Sequence, residues 1–241
     1  MFAPATALDR VEQRMCRMLG MVAAAPLTAR ELLCEAPRSL RELAREHADG
    51  WGLAVRMGDD WLVDRGTACA AVCERYAALA GRETQLLIAH VRKKTVGPLA
   101  IANTHPFRRG AFVFAHNGTL SDVGAIAGRC SRERLSQIEG DTDSERLFAF
   151  VLTRIDEVGE VARGIALAVR QLHALGDIGS ASFLLSCGAR LFAHRLGRTL
   201  YTLTRPTATL VASERLTDEA WVEVPERAVV EIEAARYSIA A

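Results

Sequence analysis

The chain has 241 residues and a formal net charge of +1; half of its residues are hydrophobic and 24% are charged. This composition is typical of a globular domain with a sizeable core, and the near-zero charge excludes a nucleic-acid-binding protein built on a broad basic surface. No apolar run approaches the length that crosses a membrane, and the charged N-terminus lacks the apolar core of a secretory signal. We therefore expect a cytoplasmic protein with no nucleic-acid or membrane partner.

Hydrophobic periodicity predicts the elements in chain order. The first half contains a buried strand at 16–24, two short capped helices starting after Thr28 and Ser39, a turn at 49–52, a hairpin at 52–57 and 61–66, a helix at 69–80, and strands at 84–92 and 111–115. The second half contains amphipathic helices at 144–156 and 161–172, then strands at 181–187, 190–195, 199–204, 208–213 and 221–232. Helices grouped between runs of strands favour an α+β fold.

Five of the six cysteines show no metal-binding framework. Cys69 and Cys73 are four residues apart, which predicts one face of a helix, but no histidine pair lies nearby at ligand spacing. We expect these two, together with Cys34, Cys130 and Cys187, to be buried and reduced, as is usual in the cytosol.

The sixth cysteine, Cys16, directly follows a methionine, Met15. If translation begins at Met15 and that methionine is removed, Cys16 becomes the first residue and carries a thiol and a free α-amine. An α-amine with a pKa of about 7.7–8.0 can act as base for a thiol with a pKa of about 8.5. The alternative interpretation is a small buried hydrophobic residue in the first strand.

Three polar clusters follow predicted elements: residues 90–95, 116–119 and 140–145. The planar guanidinium of Arg92 suits a carboxylate, and the amide of Asn117 with the N–H of Gly118 can stabilise an oxyanion. In the third cluster one carboxylate can pair with a substrate ammonium. Each cluster also has a structural interpretation: a solvated edge charge, an Asn-Gly turn and a helix N-cap.

Six motifs taken together resemble a known family. They are Cys16-Arg17 with Leu19-Gly20, residues 47–52, Arg92 through Thr95 with Gly97, residues 103–107, residues 114–118 and residues 140–145. In this order they resemble the class II glutamine amidotransferases, most of all the small stand-alone members of the YafJ, Dug3 and EgtC type. The resemblance runs from Cys16 to about residue 232 and implies an N-terminal-nucleophile hydrolase fold, a four-layer αββα sandwich of two mostly antiparallel sheets.

The same resemblance implies how the site works. It makes Cys16 the nucleophile with its own α-amine as base, Asn117 and Gly118 the oxyanion donors, Arg92 with Thr95 the α-carboxylate site, Asp143 the α-ammonium site and His105 a positioning residue. A core role for His90 and His116 stays equally open. The implied reaction cleaves the side-chain amide of glutamine or a small γ-glutamyl compound through a Cys16 thioester, without metal or cofactor. Released ammonia then passes to solvent or to a separate ammonia-accepting synthase.

Residues 1–15 are expected to be absent from the active protein, either because the start site is wrong or because they form a cleaved propeptide. Residues 16–241 then form the amidotransferase domain. If the extension is retained, we expect it to be peripheral or to cross the mouth of the pocket, and the alternative function is a non-catalytic module that binds a glutamyl ligand or a partner. A papain-like protease is a weaker alternative, because Cys16 is predicted to open a strand and not a helix.

Overall fold

A computed structural model of the chain describes residues 16–94 and 97–232. The strands within these ranges are β1 Arg17–Thr28, β2 Trp51–Met57, β3 Asp60–Gly66, β4 Glu83–Val91, β5 Phe107–Arg109, β6 Phe112–Leu120, β7 Gly179–Cys187, β8 Arg190–His194, β9 Tyr201–Thr204, β10 Ala208–Ala212, β11 Val222–Glu223 and β12 Val229–Ile232. The helices are α1 Leu40–Leu43, α2 Glu74–Ala80, α3 Val123–Ala127, α4 Arg132–Ser136, α5 Asp143–Val158 and α6 Val161–Ala174. A π-helical turn at Glu31–Glu35 and 3₁₀ turns at Ala70–Val72 and Ile101–Asn103 complete the set.

The strands form two antiparallel sheets. The larger has the order β11-β9-β10-β1-β4-β2-β3, and the smaller has the order β12-β8-β7-β6-β5. Strand β1 lies in the middle of the larger sheet because its apolar sequence can be buried on both faces: Met18 belongs to one core and Leu19 to another. Cys16 therefore directly precedes a strand that is packed on both faces.

Three apolar cores define four layers. The first packs α1 and α2 on the larger sheet, through side chains that include Leu40, Tyr76 and Trp51. The second lies between the sheets and includes Met18, Ile88, Val113 and Leu184. The third packs α5 and α6 on the smaller sheet and includes Phe114, Phe148 and Ile165. The predicted order helix, sheet, sheet, helix is thereby confirmed.

The predicted strand at 221–232 is wrong, because the chain divides into β11 and β12. The first pairs with β9 of the larger sheet and the second with β8 of the smaller sheet. Between them lie Pro225, which lacks an N–H donor for a ladder, and Arg227, whose φ of 66° is left-handed. The residues before this turn therefore pair with the larger sheet, and those after it pair with the smaller sheet.

The predicted helix at 69–80 is interrupted. Residue Cys73 is extended, with φ −93° and ψ 114°, so the 3₁₀ turn ends there and α2 begins only at Glu74. Cys69 and Cys73 therefore flank a short turn and do not share a helix face. The five cysteines that were expected to be buried are free but only half-buried, which is less burial than expected. Within the described ranges, none of the helices is long and apolar enough to span a membrane.

Candidate active site

Cys16 directly precedes β1, at the edge where β4 ends. The register pairs Arg17 with Val91, the last residue of β4, so the residues that follow β4 meet Cys16 in space. Arg17 in turn forms an ion pair with Glu214 and donates to the carbonyl of Cys16 at 3.3 Å. These contacts fix the start of β1 to its neighbours on both sides.

The thiol of Cys16 is held by the main chain of Lys93. Its Sγ accepts from the Lys93 N–H at 3.2 Å and donates to the Lys93 carbonyl at 3.3 Å. Burial raises the pKa of this thiol, and the Lys93 N–H and the charges of Arg92 and Arg17 offset only part of that effect. Since the thiolate is the reactive form, the thiol needs a base to react near neutral pH.

Arg92 is the first residue after β4 and is only 4% exposed. Its main chain is locked, since its N–H donates to Gly50 at 2.8 Å and its carbonyl accepts from Asp49 at 3.1 Å. The guanidinium donates to the carbonyl of Pro98 at 3.3 Å. Burial lowers the pKa of Arg92, with Cys16 and Asp49 opposing, but arginine remains charged at physiological pH. A buried cation thus lies beside the thiol.

Asn117 and Gly118 lie inside β6, not in the turn that an Asn-Gly pair would predict. They pair with Ser182 and Ala181 of β7, and this ladder keeps the dipeptide extended. A glycine is required because a Cβ on Gly118 would lie 2.1 Å from the main-chain oxygen of Ser180. The expectation that these two residues end their strand is therefore wrong.

The outer edge of β6 carries main-chain donors near the cleft that are not paired with a neighbouring strand. In the described ranges β5 pairs only with Phe112–Phe114, so β6 beyond that point has no strand on this side. The N–H of Leu120 uses this edge to reach Asp143 Oδ2 at 2.8 Å. Alternate residues of a strand direct their N–H groups to the same side, so the Gly118 N–H shares the edge of the Leu120 N–H.

Asp143 is the first residue of α5 and is 5% exposed. It lies next to Ser144, whose hydroxyl is 2.9 Å from His116 Nδ1. His116 Nε2 lies 3.2 Å from the Ser180 carbonyl, which can only accept, so Nε2 carries a proton. Burial lowers the pKa of His116, with Asp143 opposing, so the neutral ring uses Nδ1 to accept from Ser144.

His105 lines the cleft and lies among other rings. Its ring centroid is 4.5 Å from that of His90 and 6.5 Å from that of His116. Neither ring nitrogen of His105 has a hydrogen-bond partner. Burial holds its pKa well below the usual value, and the neighbouring histidines and Arg92 add to this effect. His105 is therefore neutral and has unused hydrogen-bonding capacity.

The structure brings five of the seven predicted site residues to one narrow cleft, hereafter the Cys16 cleft. Its lining consists of Cys16, Arg92, Lys93, Asn103, His105, His116, Gly118, Thr142, Asp143 and Ser144. Asn117 is buried beside Gly118 and its Oδ1 has no partner, but it is not part of this lining. Thr95 and the extension 1–15 lie outside the described residues. The Lys93 side chain points to the Glu46 carbonyl at 2.9 Å, while its main chain contacts the thiol.

Asn103 and Thr142 are cleft residues that the sequence-based prediction missed. Asn103 bridges two loops, since its Nδ2 donates to the Pro98 carbonyl at 3.1 Å and its Oδ1 accepts from the Asp141 N–H at 2.8 Å. Both residues stood inside quoted motifs, but their types alone are equally typical of turns and caps. In the described ranges, no cluster of three or more histidine, cysteine or acidic residues is arranged to hold a metal.

A larger cavity lies at the opposite end of the same strands. This groove of about 830 Å³, hereafter the Gly58 groove, contains none of the predicted site residues. It is lined by the second half of β1, the end of β2 with the β2–β3 turn, the start of β4, the start of β8 and the end of β12, among them Arg56, Gly58, Glu83, Arg190 and Glu231. The volume of a cavity alone would therefore not identify Cys16 as a site residue.

Two antiparallel sheets between helical layers, with a cysteine directly before a central strand, match the fold of the N-terminal nucleophile hydrolases. The chain belongs to the class II glutamine amidotransferases, because the family model with that description matches residues 15–220. It is 28% identical over 233 residues to a γ-glutamyl-hercynylcysteine sulfoxide hydrolase of Mycobacterium tuberculosis (strain CDC 1551 / Oshkosh), covering 90% of this chain and 93% of that protein.

A further relative and a solved structure were also found, the first similar in sequence and the second in fold. The putative glutamine amidotransferase YafJ of Escherichia coli is 27% identical over 209 residues, which cover 79% of this chain and 76% of YafJ. The solved structure of glutamine phosphoribosylpyrophosphate amidotransferase from B. subtilis superposes with a TM-score of 0.68 at 18% identity. That match covers 90% of this chain and 47% of the other, so it supports the fold alone.

Proposed function

We propose that the protein hydrolyses the side-chain amide of glutamine or of a γ-glutamyl compound through a thioester on Cys16. The observation that carries this proposal is the convergence of a thiol, a buried arginine, a buried carboxylate and a strand-edge N–H on one cleft. Their residues, Cys16, Arg92, Asp143 and Gly118, come from four separate parts of the sequence. Each has the chemistry that one part of a γ-glutamyl amide requires.

Cys16 acts as the nucleophile, with its own α-amine as base. The raised pKa of the thiol makes such a base necessary. The amine attacks nothing itself; it takes the thiol proton and returns it to the leaving nitrogen. The Cys16 sulfur bonds to the side-chain carbonyl carbon, the amine or ammonia departs, and water then hydrolyses the thioester to release glutamate.

Gly118 and Asn117 stabilise the oxyanion that forms on the substrate carbonyl. The Gly118 N–H lies on the β6 edge that has no partner strand, which leaves it free to donate. Asn117 is 3% exposed and contributes its side-chain amide from the adjacent position. Loss of one such donor typically costs about 2.7–4 kcal/mol of barrier.

Arg92 and Asp143 bind the amino-acid end of the substrate. Both are almost fully buried and line the same cleft, with opposite charges. A zwitterionic amino-acid group offers a carboxylate to the guanidinium and an ammonium to the carboxylate, so its two charges match the two buried charges of the site. Thr95 assists Arg92 in binding the substrate's α-carboxylate, and His105 is a positioning residue of the cleft.

Residues 1–15 are removed from, or never part of, the active form, and residues 16–241 form the amidotransferase domain. A peptide nitrogen on Cys16 has no basic lone pair, so the mechanism requires a free N-terminus there. The family match begins at Met15, which supports a start at that residue. A start at Met15 followed by methionine removal explains this more simply than a cleaved propeptide.

The leaving group is ammonia or a larger amine, and the substrate is a small molecule. The M. tuberculosis relative is named for a γ-glutamyl substrate larger than glutamine, which supports including such conjugates. Where glutamine is used, the ammonia passes to solvent or to a separate synthase. The six free cysteines agree with a location in the reducing cytosol.

The test compares the 241-residue form with a form that starts at Met15. N-terminal masses are measured for both, followed by glutamate release from glutamine, glutathione and γ-glutamyl-hercynylcysteine sulfoxide. We expect turnover only from protein that begins at Cys16. An unprocessed full-length chain that hydrolyses these substrates equally fast would contradict the free-amine mechanism, and binding without turnover by both forms would favour the non-catalytic module.

A further inference from the structure

Thr142 occupies the N-cap position of α5 but does not cap the helix. It has the extended backbone of an N-cap, with φ −82° and ψ 151°, yet its side chain makes no capping hydrogen bond. A threonine here ordinarily accepts from an N–H of the first helical turn. Glu145, three residues on, also bonds elsewhere, accepting from the N–H groups of Glu139 and Gly140. The local helix therefore does not explain this hydroxyl.

The Thr142 hydroxyl is buried and unpaired. The residue is 4% exposed, its Oγ1 has no hydrogen-bond partner, and it lines the Cys16 cleft beside Asp143. A buried hydroxyl without a partner destabilises the folded protein, so most such groups are bonded. The geometry points to a group that is completed by a ligand.

The Asp143 carboxylate alone cannot accept all the hydrogen bonds that a substrate ammonium donates, so the site needs a second acceptor. Its Oδ2 already accepts from the Leu120 N–H at 2.8 Å, and the Ser144 hydroxyl lies 3.4 Å from its Oδ1. A substrate ammonium brings three N–H donors, and each one left unpaired in a desolvated site weakens binding. One partly occupied carboxylate does not provide three acceptors.

We propose that Thr142 Oγ1 accepts a hydrogen bond from the α-ammonium of the γ-glutamyl substrate, beside Asp143. This inference rests on the proposed function and adds a specificity-determining residue to it. Thr142 thereby selects γ-glutamyl compounds with a free α-amine over N-acylated or amine-free analogues.

The experiment uses Thr142→Val, which keeps the shape and removes the hydroxyl, and three amides. These are L-glutamine, glutaramate, which lacks the α-amine, and 4-aminobutanamide, which lacks the α-carboxylate. Removing a hydrogen bond to a charged group should lower kcat/KM roughly ten- to hundredfold. We expect this loss for L-glutamine and 4-aminobutanamide, no change for glutaramate, and recovery in Thr142→Ser.

Equal losses for L-glutamine and glutaramate would overturn the proposal, as would a loss that spares 4-aminobutanamide. Ser131→Ala provides the matched control, because Ser131 does cap its helix by accepting from the Arg134 N–H at 3.2 Å. It should lower the melting temperature by about 2–4 °C without changing the preference between amides. Thr142→Val should keep or raise the melting temperature, because it removes no hydrogen bond within the protein and replaces a buried, unpaired hydroxyl with a methyl group.

Calorimetric binding of the same amides to the Cys16→Ala protein, with and without Thr142→Val, separates this inference from the proposed function. Binding of L-glutamine by a wild-type protein that turns over none of the γ-glutamyl substrates would contradict the hydrolase and still test Thr142. A loss of L-glutamine affinity that glutaramate does not share supports the contact. Absence of binding to the Cys16→Ala protein by L-glutamine, glutathione and γ-glutamyl-hercynylcysteine sulfoxide alike would overturn both.

Discussion

The Cys16 cleft and the Gly58 groove lie at opposite ends of the same strands, and they differ in how their polar groups are satisfied. In the groove, Arg190 pairs with Glu231 at 2.6 Å, and Arg56 donates to the Gly58 carbonyl at 2.8 Å. In the cleft, Thr142 Oγ1 and both ring nitrogens of His105 have no partner.

This difference identifies the site better than volume does. Most buried polar groups in proteins are hydrogen-bonded, so several unsatisfied groups that line one cleft indicate a ligand there. The groove is larger, but its arginines Arg56 and Arg190 form ion pairs with Asp59 and Glu231, which line it too. The cleft is narrow, yet it holds a buried cation, a buried carboxylate and several unused donors and acceptors. Substitutions in the two regions should therefore have different consequences.

The largest expected effect is loss of the nucleophile. Cys16→Ala should lower kcat for glutamate release by roughly 10⁴-fold or more, because no other thiol lies in the cleft to replace it. Cys187→Ala, at the end of β7 outside the cleft, is the matched control and should retain full activity. Substantial glutamate release by Cys16→Ala would remove the thioester from the mechanism.

A methyl group added at Gly118 should have the next largest effect. Its Cβ would lie 2.1 Å from the Ser180 oxygen and 2.6 Å from His116 Nε2, so β6 must shift. Gly118→Ala should lower kcat by about 10²–10³-fold through the displaced oxyanion donor and lower the free energy of unfolding by about 1–3 kcal/mol. Steady-state kinetics and urea unfolding measure the two effects.

Gly58→Ala supplies the corresponding change in the groove. A Cβ there meets nothing within 4 Å, although the φ of 62° costs an alanine about 1–2 kcal/mol. We expect a modest loss of stability and unchanged kcat. If Gly58→Ala lowered kcat as far as Gly118→Ala does, the distinction between the two regions would be lost.

The layered fold could be predicted from the sequence because its strands and long helices carry strong periodicity. The stripes of α5 and α6 and the apolar runs of β1, β4 and β7 follow directly from side-chain spacing. The division of 221–232 between two sheets could not, because both halves have the same pattern and only tertiary pairing separates them. The short helices α3 and α4 were missed for a similar reason, since four or five residues carry little periodicity.

Most residues of the site could be predicted from the sequence, but their hydrogen bonds and strand pairing could not. The resemblance supplied Arg92, Gly118 and Asp143, which the structure brings to one cleft. That Asn-Gly is part of a strand depends on pairing with β7, and a dipeptide preference for turns cannot reveal this. Likewise, a threonine before a helix predicts a capping hydrogen bond, and only the structure shows that the Thr142 side chain does not form one.

The comparison of Arg92 with its neighbour tests whether the cleft needs a planar cation. Arg92→Lys should raise KM for glutamine by roughly 10–100-fold, because an ammonium cannot form two parallel bonds to a carboxylate. Lys93→Ala should change KM by no more than about twofold, since it removes only a contact to the Glu46 carbonyl and keeps the main chain that holds Cys16. Equal changes in KM would remove the reason for placing the carboxylate at Arg92.

The last prediction concerns pH, because the cleft is built on buried neutral histidines and the lining of the groove includes none. Burial, with Arg92 adding to it, lowers the pKa of His90 from 6.5 to about 3. Between these values an unfolded chain protonates this ring and the folded protein does not. The stability from the neutral ring is therefore fully present above about pH 6.5 and is lost as the pH falls towards 3, by about 1.4 kcal/mol per pH unit.

His47 and His194, each with a pKa lowered by burial to about 4, contribute in the same direction. The free energy of unfolding, measured in urea from about pH 6.5 to 4.5, should thus fall steeply with acid. His90→Leu removes one titrating group and should flatten this slope by about 1.4 kcal/mol per pH unit, whatever its effect on absolute stability. Arg190→Gln in the groove should leave the slope as it is, because it removes no group that titrates in this range. An unchanged slope in His90→Leu would mean that His90 is already protonated or solvated in the folded protein, and the contrast between the two regions would then rest on the unpaired groups of the cleft alone.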